Sequence, residues 1–389
     1  MQIVGYHLSR DNSTIYTSKG EQCSQPPYVE FLLKEKDAIR VCYQLDFFVA
    51  NLFVLCKLTR KQLIQLYETT ELRIGDYKFK FVPKKFLSII KGDQFVLFSD
   101  ASQYMERYDL VGDTAEKAVE ARKIGVQVYN TLSKLGLHPK SIISPIATFE
   151  KEVLVKMDIP TIDDMPEEAA QYAYECCTGP IVQAYRIGRF EKCYDWDIKS
   201  AYASNLMNCI DFREQYGTWK KIDHFDPASH YGYYKGIVNM KDCFHPIVYE
   251  NNTPKGEWER KSLKEELEFI TKYDRGTWEV EDGWVFYPTK FVYPYKKIIL
   301  WLNDWKDKTK GMERKVVKRI LESLWGYTLR IDFNGEIAIP SEYMNTVFGA
   351  QTETLTKLAV GKFVIENGLE ESLISIAVDG VLVDKEIML

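Results

Sequence analysis

The segment Leu373-Ile374-Ser375-Ile376-Ala377-Val378-Asp379-Gly380-Val381-Leu382-Val383-Asp384 decides how this chain is read. Apolar residues fill both halves, and Asp379-Gly380 between them is a strong short-range signal for a β-hairpin turn. Taken alone, an Asp in a turn is only a turn residue. The apolar strands on both sides, though, predict a buried hairpin whose tip meets other structure. A carboxylate placed there needs a partner, and a metal ion shared with a second acid supplies one.

The second acid lies upstream. Phe190-Glu191-Lys192-Cys193-Tyr194-Asp195-Trp196-Asp197 reads as a strand ending in acids, and Ile198-Lys199-Ser200-Ala201-Tyr202-Ala203-Ser204 follows it. An acid at a strand end, before a tight turn of small residues, sets a carboxylate beside backbone N–H groups. The carboxylate can hold Mg²⁺ while the amides receive phosphate oxygens. The same spacing also suits a plain helix cap at Ser200.

Between the two acids runs a basic stretch of Lys306, Lys308, Lys310, Arg314, Lys315, Lys318 and Arg319. Lys315 and Lys318 share a helix face, as do Lys318 and Glu322. Lys306 lies twelve residues before Lys318, so a helix or hairpin can aim both at one triphosphate. Most basic runs are solvated helix faces. Here Ser323-Leu324-Trp325-Gly326-Tyr327 follows directly, and Gly326 permits close approach of a backbone or a base. An acid, a basic helix and a second acid are the equipment of nucleotidyl transfer. Two acids hold two Mg²⁺ ions about 3.5–4 Å apart, and lysines take the spreading negative charge.

A chain of 389 residues can hold two or three domains with their own cores. The aromatic fraction of 14% supplies rings that stack on bases, although most rings fill cores. A net charge of −5 excludes a protein that holds nucleic acid by bulk charge, but not an enzyme whose acidic centre is offset by a local basic surface. The eight cysteines include no C-x-x-C pair and read as reduced thiols. Cys243 and His245 lack the second pair a metal site needs. No apolar run is long enough for a bilayer, and the N-terminus lacks signal-peptide order. The expected location is the cytoplasm, or a host's cytoplasm for a viral protein.

Elsewhere, Ala38 to Tyr43 reads as a buried strand, and Phe47 to Leu55 leads into a helix carrying Lys61, Gln65 and Glu68. Tyr77 to Val82 alternates as a half-buried strand does. Ala115 to Leu135 is an amphipathic helix stopping at Gly136. Residues 231–290 alternate as a sheet, 296–329 are helical and basic, and 351–367 form another helix.

Three segments carry a family resemblance. Asp197 to Ser204 resembles the D-x-x-S-L-Y-P-S motif A of family B DNA polymerases. Lys318 to Gly326, K-R-I-L-E-S-L-W-G, resembles motif B, K-x-x-x-N-S-x-Y-G. Ala377-Val378-Asp379-Gly380 resembles motif C, D-T-D-S, keeping its second Asp. The motifs stand in the family's order. The stretch from Ala184-Tyr185 to Phe190-Glu191 is similar to viral members, and the Lys306–Lys318 step to protein-primed ones.

The resemblance implies an α+β right-hand polymerase. An RNase H-like, exonuclease-like domain would span 1–150 and a connection 151–189. The palm would span 190–290 and 328–389, around fingers at 291–327. Asp197 and Asp379 would be catalytic ligands of two Mg²⁺ ions, for which Mn²⁺ would be an able substitute. Lys318, with Lys306 and Ser200, would bind the incoming triphosphate. Tyr202 would be the steric gate against a ribose 2′-OH, and Trp325 with Gly326 would pack on the nascent base pair. Partners would be a DNA primer-template and dNTPs, with no membrane.

The departures from the family pattern carry expectations of their own. Glu322 replaces Asn, Ala203 replaces Pro, Gly380 replaces Ser, and Ala377 stands where motif C has its first acid. The strand Ile3-Val4-Gly5-Tyr6-His7 has no D-x-E, so the N-terminal domain is expected to be unable to proofread. Asp46 and Asp109 are the candidate surviving exonuclease acids. Only ten residues follow Asp379, so the expectation is that a thumb comes from another chain, that the chain is a fragment, or that it works on short or unusual substrates without one. A catalytically inactive, polymerase-like scaffold that binds nucleic acid or a replication partner is the competing reading. A two-metal nuclease would need three or more acids clustered near the N-terminus, and the sequence offers no such cluster.

Overall fold

A computed structural model describes residues 2–9, 11, 13–34, 38–105, 114–334 and 337–386. They divide into two units. The first is Met1–Val155 with Trp305–Ile320, and the second is Lys156–Asp304 with Leu321–Leu389.

In the first unit eight strands form one sheet: β1 (Gln2–Leu8), β2 (Ile15–Thr17), β3 (Gln22–Cys23), β4 (Ala38–Cys42), β5 (Glu71–Ile74), β6 (Tyr77–Val82), β7 (Phe86–Lys91) and β8 (Gln94–Asp100). Their order is β3-β2-β1-β4-β8-β7-β6-β5. β4 runs parallel to both β1 and β8, and the other pairings are antiparallel. β1 is buried along nearly its whole length, as a central strand covered on both faces must be.

The two faces of β1 meet different helices because its side chains alternate. Val4, Tyr6 and Leu8 join a core with α1 (Tyr28–Leu33) and α2 (Leu45–Leu55), through Leu32, Phe48, Leu52 and Phe53. The stretch expected only to lead into a helix is thus itself helix α2. The expected helix follows as α3 (Arg60–Thr69), opened by a Thr59/Gln62 capping box. On the other face lies α4 (Thr114–Lys134), whose Ala118, Ala121, Ile124, Val128 and Leu132 are buried at helical spacing. The chain turns beyond α4 at Gly136, with φ +77°, as expected. Then α5 (Pro145–Glu152) starts with Ser144 as N-cap and Pro145 in its first turn.

The second unit contains α6 (Glu167–Glu175), β9 (Val182–Ala184), β10 (Tyr194–Asp197), α7 (Ala201–Asn208), β11 (Gly217–Ile222), β12 (Tyr231–Met240), β13 (Gly256–Leu263), α8 (Lys264–Lys272) and β14 (Gly276–Pro288). α9 (Lys296–Lys308) and α10 (Gly311–Thr328) follow, broken at Thr309-Lys310 where one helical run was expected. The chain closes with β15 (Ile331–Asn334), β16 (Ile337–Pro340), α11 (Thr346–Glu366), β17 (Leu373–Ala377) and β18 (Gly380–Val383). One antiparallel sheet has the order β11-β14-β12-β13, another β10-β18-β17-β9, and β15 pairs with β16.

Helix α11 is buried through most of its length, including Gln351, Thr352, Glu353, Thr356 and Lys357. Buried polar groups need partners, and these have them. Lys357 Nζ meets Glu353 Oε1 at 3.0 Å and Thr178 Oγ1 at 2.7 Å, while Asn205 Nδ2 donates to Thr356 Oγ1 at 3.0 Å. The far half of α11 packs Val360 and Val364 beneath β17 and β18, against Ile376, Val381 and Val383. No helix among the described residues is long and apolar enough to cross a membrane.

Candidate active site

Strand β10 pairs antiparallel with β18, with Asp197 opposite Gly380 and Trp196 opposite Val381. The amide of Ile198 then donates to the carbonyl oxygen of Asp379 at 3.2 Å. The two acids predicted to act together therefore stand at neighbouring strand ends.

The hairpin differs from expectation by one residue. Ala377 pairs with Gly380, so the turn is Val378-Asp379, and Gly380 opens β18. The positive φ of the turn falls on Val378, at +65°. A β-branched residue there is a steric outlier costing on the order of 1–3 kcal/mol, and it persists only where neighbours over-determine it. One such neighbour is Ile181, whose carbonyl accepts the Val378 amide at 2.8 Å. Ser200 is also left-handed, φ +56°, at the start of α7, and its side chain makes no capping bond.

Alternation along β10 turns Tyr194 and Trp196 into the core and leaves Asp195 and Asp197 exposed. With Ser375, Ala377, Gly380 and Leu382 they line an open depression of about 430 Å³. Asp195 was not singled out from the sequence. The signal was there, because residues two apart on a strand share a face.

Tyr202, on the first turn of α7, packs its ring on Trp325 with centroids 4.6 Å apart and planes at 47°. Trp325 Nε1 donates to the Gly349 carbonyl at 3.2 Å, which fixes the indole. Burial pushes the Tyr202 hydroxyl well above its ordinary pKa, and the charges of Glu353 and Asp379 push it the same way. Gly326 is exposed, and a Cβ there would meet nothing within 4 Å. The structure thus brings Asp197, Asp379, Tyr202 and Trp325 into the second unit.

Lys306 and Lys318 fall in the first unit. Lys306 is buried near the end of α9, where its carbonyl accepts Arg314 Nη1 at 2.9 Å, and Lys318 is exposed on α10. The rest of the basic run is partly structural. Arg319 donates to Gln103 and lies over the Tyr104 ring, and Lys315 Nζ reaches the Tyr104 carbonyl at 3.5 Å.

Along β1, Tyr6 and Leu8 are buried, and His7 is stacked on Phe47. Asp46, in the first turn of α2, accepts the Lys84 amide at 2.9 Å. It shares a depression of about 220 Å³ with Asp100, a buried acid whose pKa burial raises and which accepts the Ser102 amide at 2.8 Å. Asp109 lies outside the described residues. Cys243 is exposed, whereas His245 is buried and donates through Nε2 to the Pro254 carbonyl at 3.0 Å, its pKa lowered to about 4 mainly by burial. Among the described residues no three His, Cys, Asp or Glu side chains group so as to hold a metal.

The fold of the whole chain is similar to solved structures of phi29 DNA polymerase. Against that polymerase complexed with single-stranded DNA, the TM-score is 0.65 at 12% identity, over 100% of this chain and 80% of the other. Against its ternary complex with primer-template DNA and incoming nucleotide substrates, the TM-score is 0.64 at 12% identity, over 100% and 81%. The orthorhombic crystal form gives 0.64 at 13% identity, again over 100% and 81%. No family model matches the chain, and neither does a curated protein. At this identity the likeness is one of fold: a mixed α/β chain built like phi29 DNA polymerase.

Proposed function

We propose that this chain is a template-directed DNA polymerase of the family B type, working with two divalent ions at Asp197 and Asp379. The observation that carries this reading is the β10–β18 register, which sets Asp197 opposite Gly380, the residue after Asp379, with the Ile198 amide donating to the Asp379 carbonyl. The likeness of fold to a polymerase solved with primer-template DNA and nucleotides supports it.

The donor set fits the ions. Two carboxylates offer hard oxygen ligands, and Mg²⁺ is commonly bound by one or two carboxylates plus waters and substrate phosphates. Bound there, Mg²⁺ or Mn²⁺ would supply Lewis acidity toward phosphoryl oxygens. The chain's own residues would do the rest. In the transfer, a primer 3′ oxygen bonds to the α-phosphorus of a dNTP, and the bond to the bridging oxygen breaks to release pyrophosphate. Ser200 would lie beside the triphosphate, and Tyr202, held by Trp325, would exclude a 2′-OH. Gly326 leaves open space for a base.

The N-terminal unit reads as an RNase H-like, exonuclease-like domain without proofreading. Its meander β3-β2-β1 followed by parallel β4 and β8 supports the first part. The largely buried β1, which carries no acid, supports the second. Such an enzyme suits replication of a virus, phage or mobile element, in a cytoplasmic setting.

A second reading, an inactive polymerase-like scaffold, is favoured by Ala377 in place of motif C's first acid and by Glu322 in motif B. Primer extension with Mg²⁺ or Mn²⁺ and four dNTPs separates the two. Extension by the intact chain that vanishes in Asp379→Ala is expected for the polymerase. No extension by either, with no Mn²⁺ site dependent on both acids, would establish the scaffold.

A further inference from the structure

The left-handed Val378 raises a physical question: what holds this tip in place? Two backbone bonds clamp it. On one side Ile198 donates to the Asp379 carbonyl, and on the other Val378 donates to the Ile181 carbonyl. The first clamp belongs to a strand pairing. The second depends on the short segment 178–181, which enters β9 through Gly179 at φ +82° and has no regular structure of its own.

Ile181 packs in the core beneath the sheet, and the other end of the segment is tied down by a buried lysine. Lys357 Nζ donates to Thr178 Oγ1 at 2.7 Å and to Glu353 Oε1 at 3.0 Å. The Lys357 and Glu353 side chains are only 1% and 3% exposed. Stability alone does not favour such a pair, because desolvating two charges costs several kcal/mol and a well-packed apolar pair often does as well. A position-fixing role accounts for it better. The neighbouring turns of α11 also hold α7, through Asn205 with Thr356 at 3.0 Å and Cys209 with Thr352 at 4.0 Å, and α7 carries Tyr202.

We propose that the buried Glu353–Lys357 pair is a positioning device for Asp379, acting through Thr178 and Ile181 to hold the Val378-Asp379 tip. The proposal rests on the reading of Asp379 as a metal ligand. Lys357 is the anchor, Glu353 neutralises and aims it, and neither touches substrate. The same helix thereby fixes the height of the acid and the position of the tyrosine beside it. Burial is the main cause of the raised pKa of the Tyr202 hydroxyl, and the smaller pushes from Glu353 and Asp379 agree with that proximity.

The test uses the full chain with two variants. One is the double Glu353→Gln/Lys357→Met, which avoids stranding a buried charge. The other is Thr178→Val, which removes the hydroxyl contact and leaves the ion pair intact, so the idea stays testable if the double variant fails to fold. Two quantities are read: hydrogen exchange of the peptide spanning 373–383, and Mn²⁺ affinity by electron paramagnetic resonance. The expected result is exchange at Val378 about tenfold faster while the β11–β14 sheet keeps its protection. Mn²⁺ binding should weaken roughly 10- to 100-fold, as for a lost outer-shell partner. Unchanged exchange at 373–383 in a folded variant would overturn the proposal. Exchange rising equally throughout the second unit would also overturn it, because the pair would then only stabilise the fold. If the wild-type chain binds no Mn²⁺, the polymerase reading fails, and the exchange result still decides whether the clamp exists.

Discussion

The amide of Ile198 donates to the carbonyl of Asp379, so the strand that ends in one acid directly secures the backbone of the other. Under the proposed function, a backbone fixed in this way would spare the two acids reorganisation on binding ions, which is how a preorganised site gains over a flexible one. Asp195 shares the exposed face of Asp197 but sits opposite Leu382, two residues further from the tip. Asp197→Asn and Asp379→Asn are therefore each expected to lower primer extension by more than the roughly 100-fold upper cost of a lost outer-shell partner. Asp195→Asn should lower it by less. Single-turnover extension at saturating Mn²⁺ checks the ranking, and equal losses in all three variants would contradict it.

Tyr202 and Trp325 form a tilted ring pair with the indole anchored on Gly349. Removing the ring opens space without touching either acid. Tyr202→Ala should therefore lower discrimination against ribonucleotides by roughly 10- to 200-fold, the range for a change in pocket packing. Trp325→Ala should show a smaller loss, because Tyr202 would remain but lose a contact worth about 0.5–1.5 kcal/mol. Ratios of kcat/KM for dNTP and rNTP measure both. An unchanged ratio in Tyr202→Ala would remove Tyr202 from the gate.

How far the sequence reveals this molecule depends on whether a local rule matches the local structure. Helix α4 was predicted almost to the residue because its apolar positions recur at the helical period and Gly136 ends it. The 373–384 hairpin was predicted too, but with its turn misplaced by one. Sequence rules assign the left-handed position to Gly380, and tertiary clamps force it onto Val378 instead. Helix α11 begins five residues before its expected start. Its buried Thr352, Glu353, Thr356 and Lys357 look like a solvated face, and the Asn345 cap lies outside the apolar pattern. Helix α8 was lost within an alternating region because Leu267 and Phe269 fit the strand period, while Leu267 and Ile270 fit the helical one. Lys306 was expected to face a triphosphate and is buried, which charge alone does not reveal.

Glu265, on the first turn of α8, turns its carboxyl inward toward Gln351, whose Nε2 lies 3.4 Å away. Burial raises its pKa from 4.5 to about 7. The fold therefore prefers the neutral acid. Its contribution to stability is full below the unfolded value near 4.5 and is lost as pH rises through about 7. The wild-type chain should lose on the order of 2 kcal/mol between about pH 5 and about pH 8 from this group. Glu265→Gln, neutral at every pH, should lack that part of the slope and be the more stable protein at the alkaline end. Urea titrations at both pH values check this, and parallel pH slopes for the two proteins would refute it.

Gly5 lies at the closest approach of β1 to α4. A Cβ there would stand 1.8 Å from the Ala118 carbonyl oxygen and 2.7 Å from the Arg122 amide nitrogen. These are backbone atoms, so no side-chain rotation relieves the overlap, and the helix itself must move. The contact is reinforced by Arg122 Nε, which donates to the Ile3 carbonyl at 3.2 Å. Gly5→Ala is expected to destabilise the chain by at least the roughly 1–3 kcal/mol of ordinary overpacking. Gly326→Ala, made in open space inside a helix, should instead stabilise the chain by up to about 1 kcal/mol. Denaturant midpoints for the two variants measure the contrast, and similar small effects would show that α4 can shift freely. The same geometry bears on the exonuclease-like reading. An acid at position 5 has no room beneath α4, so this face of β1 cannot carry a metal-binding carboxylate there unless the helix is displaced.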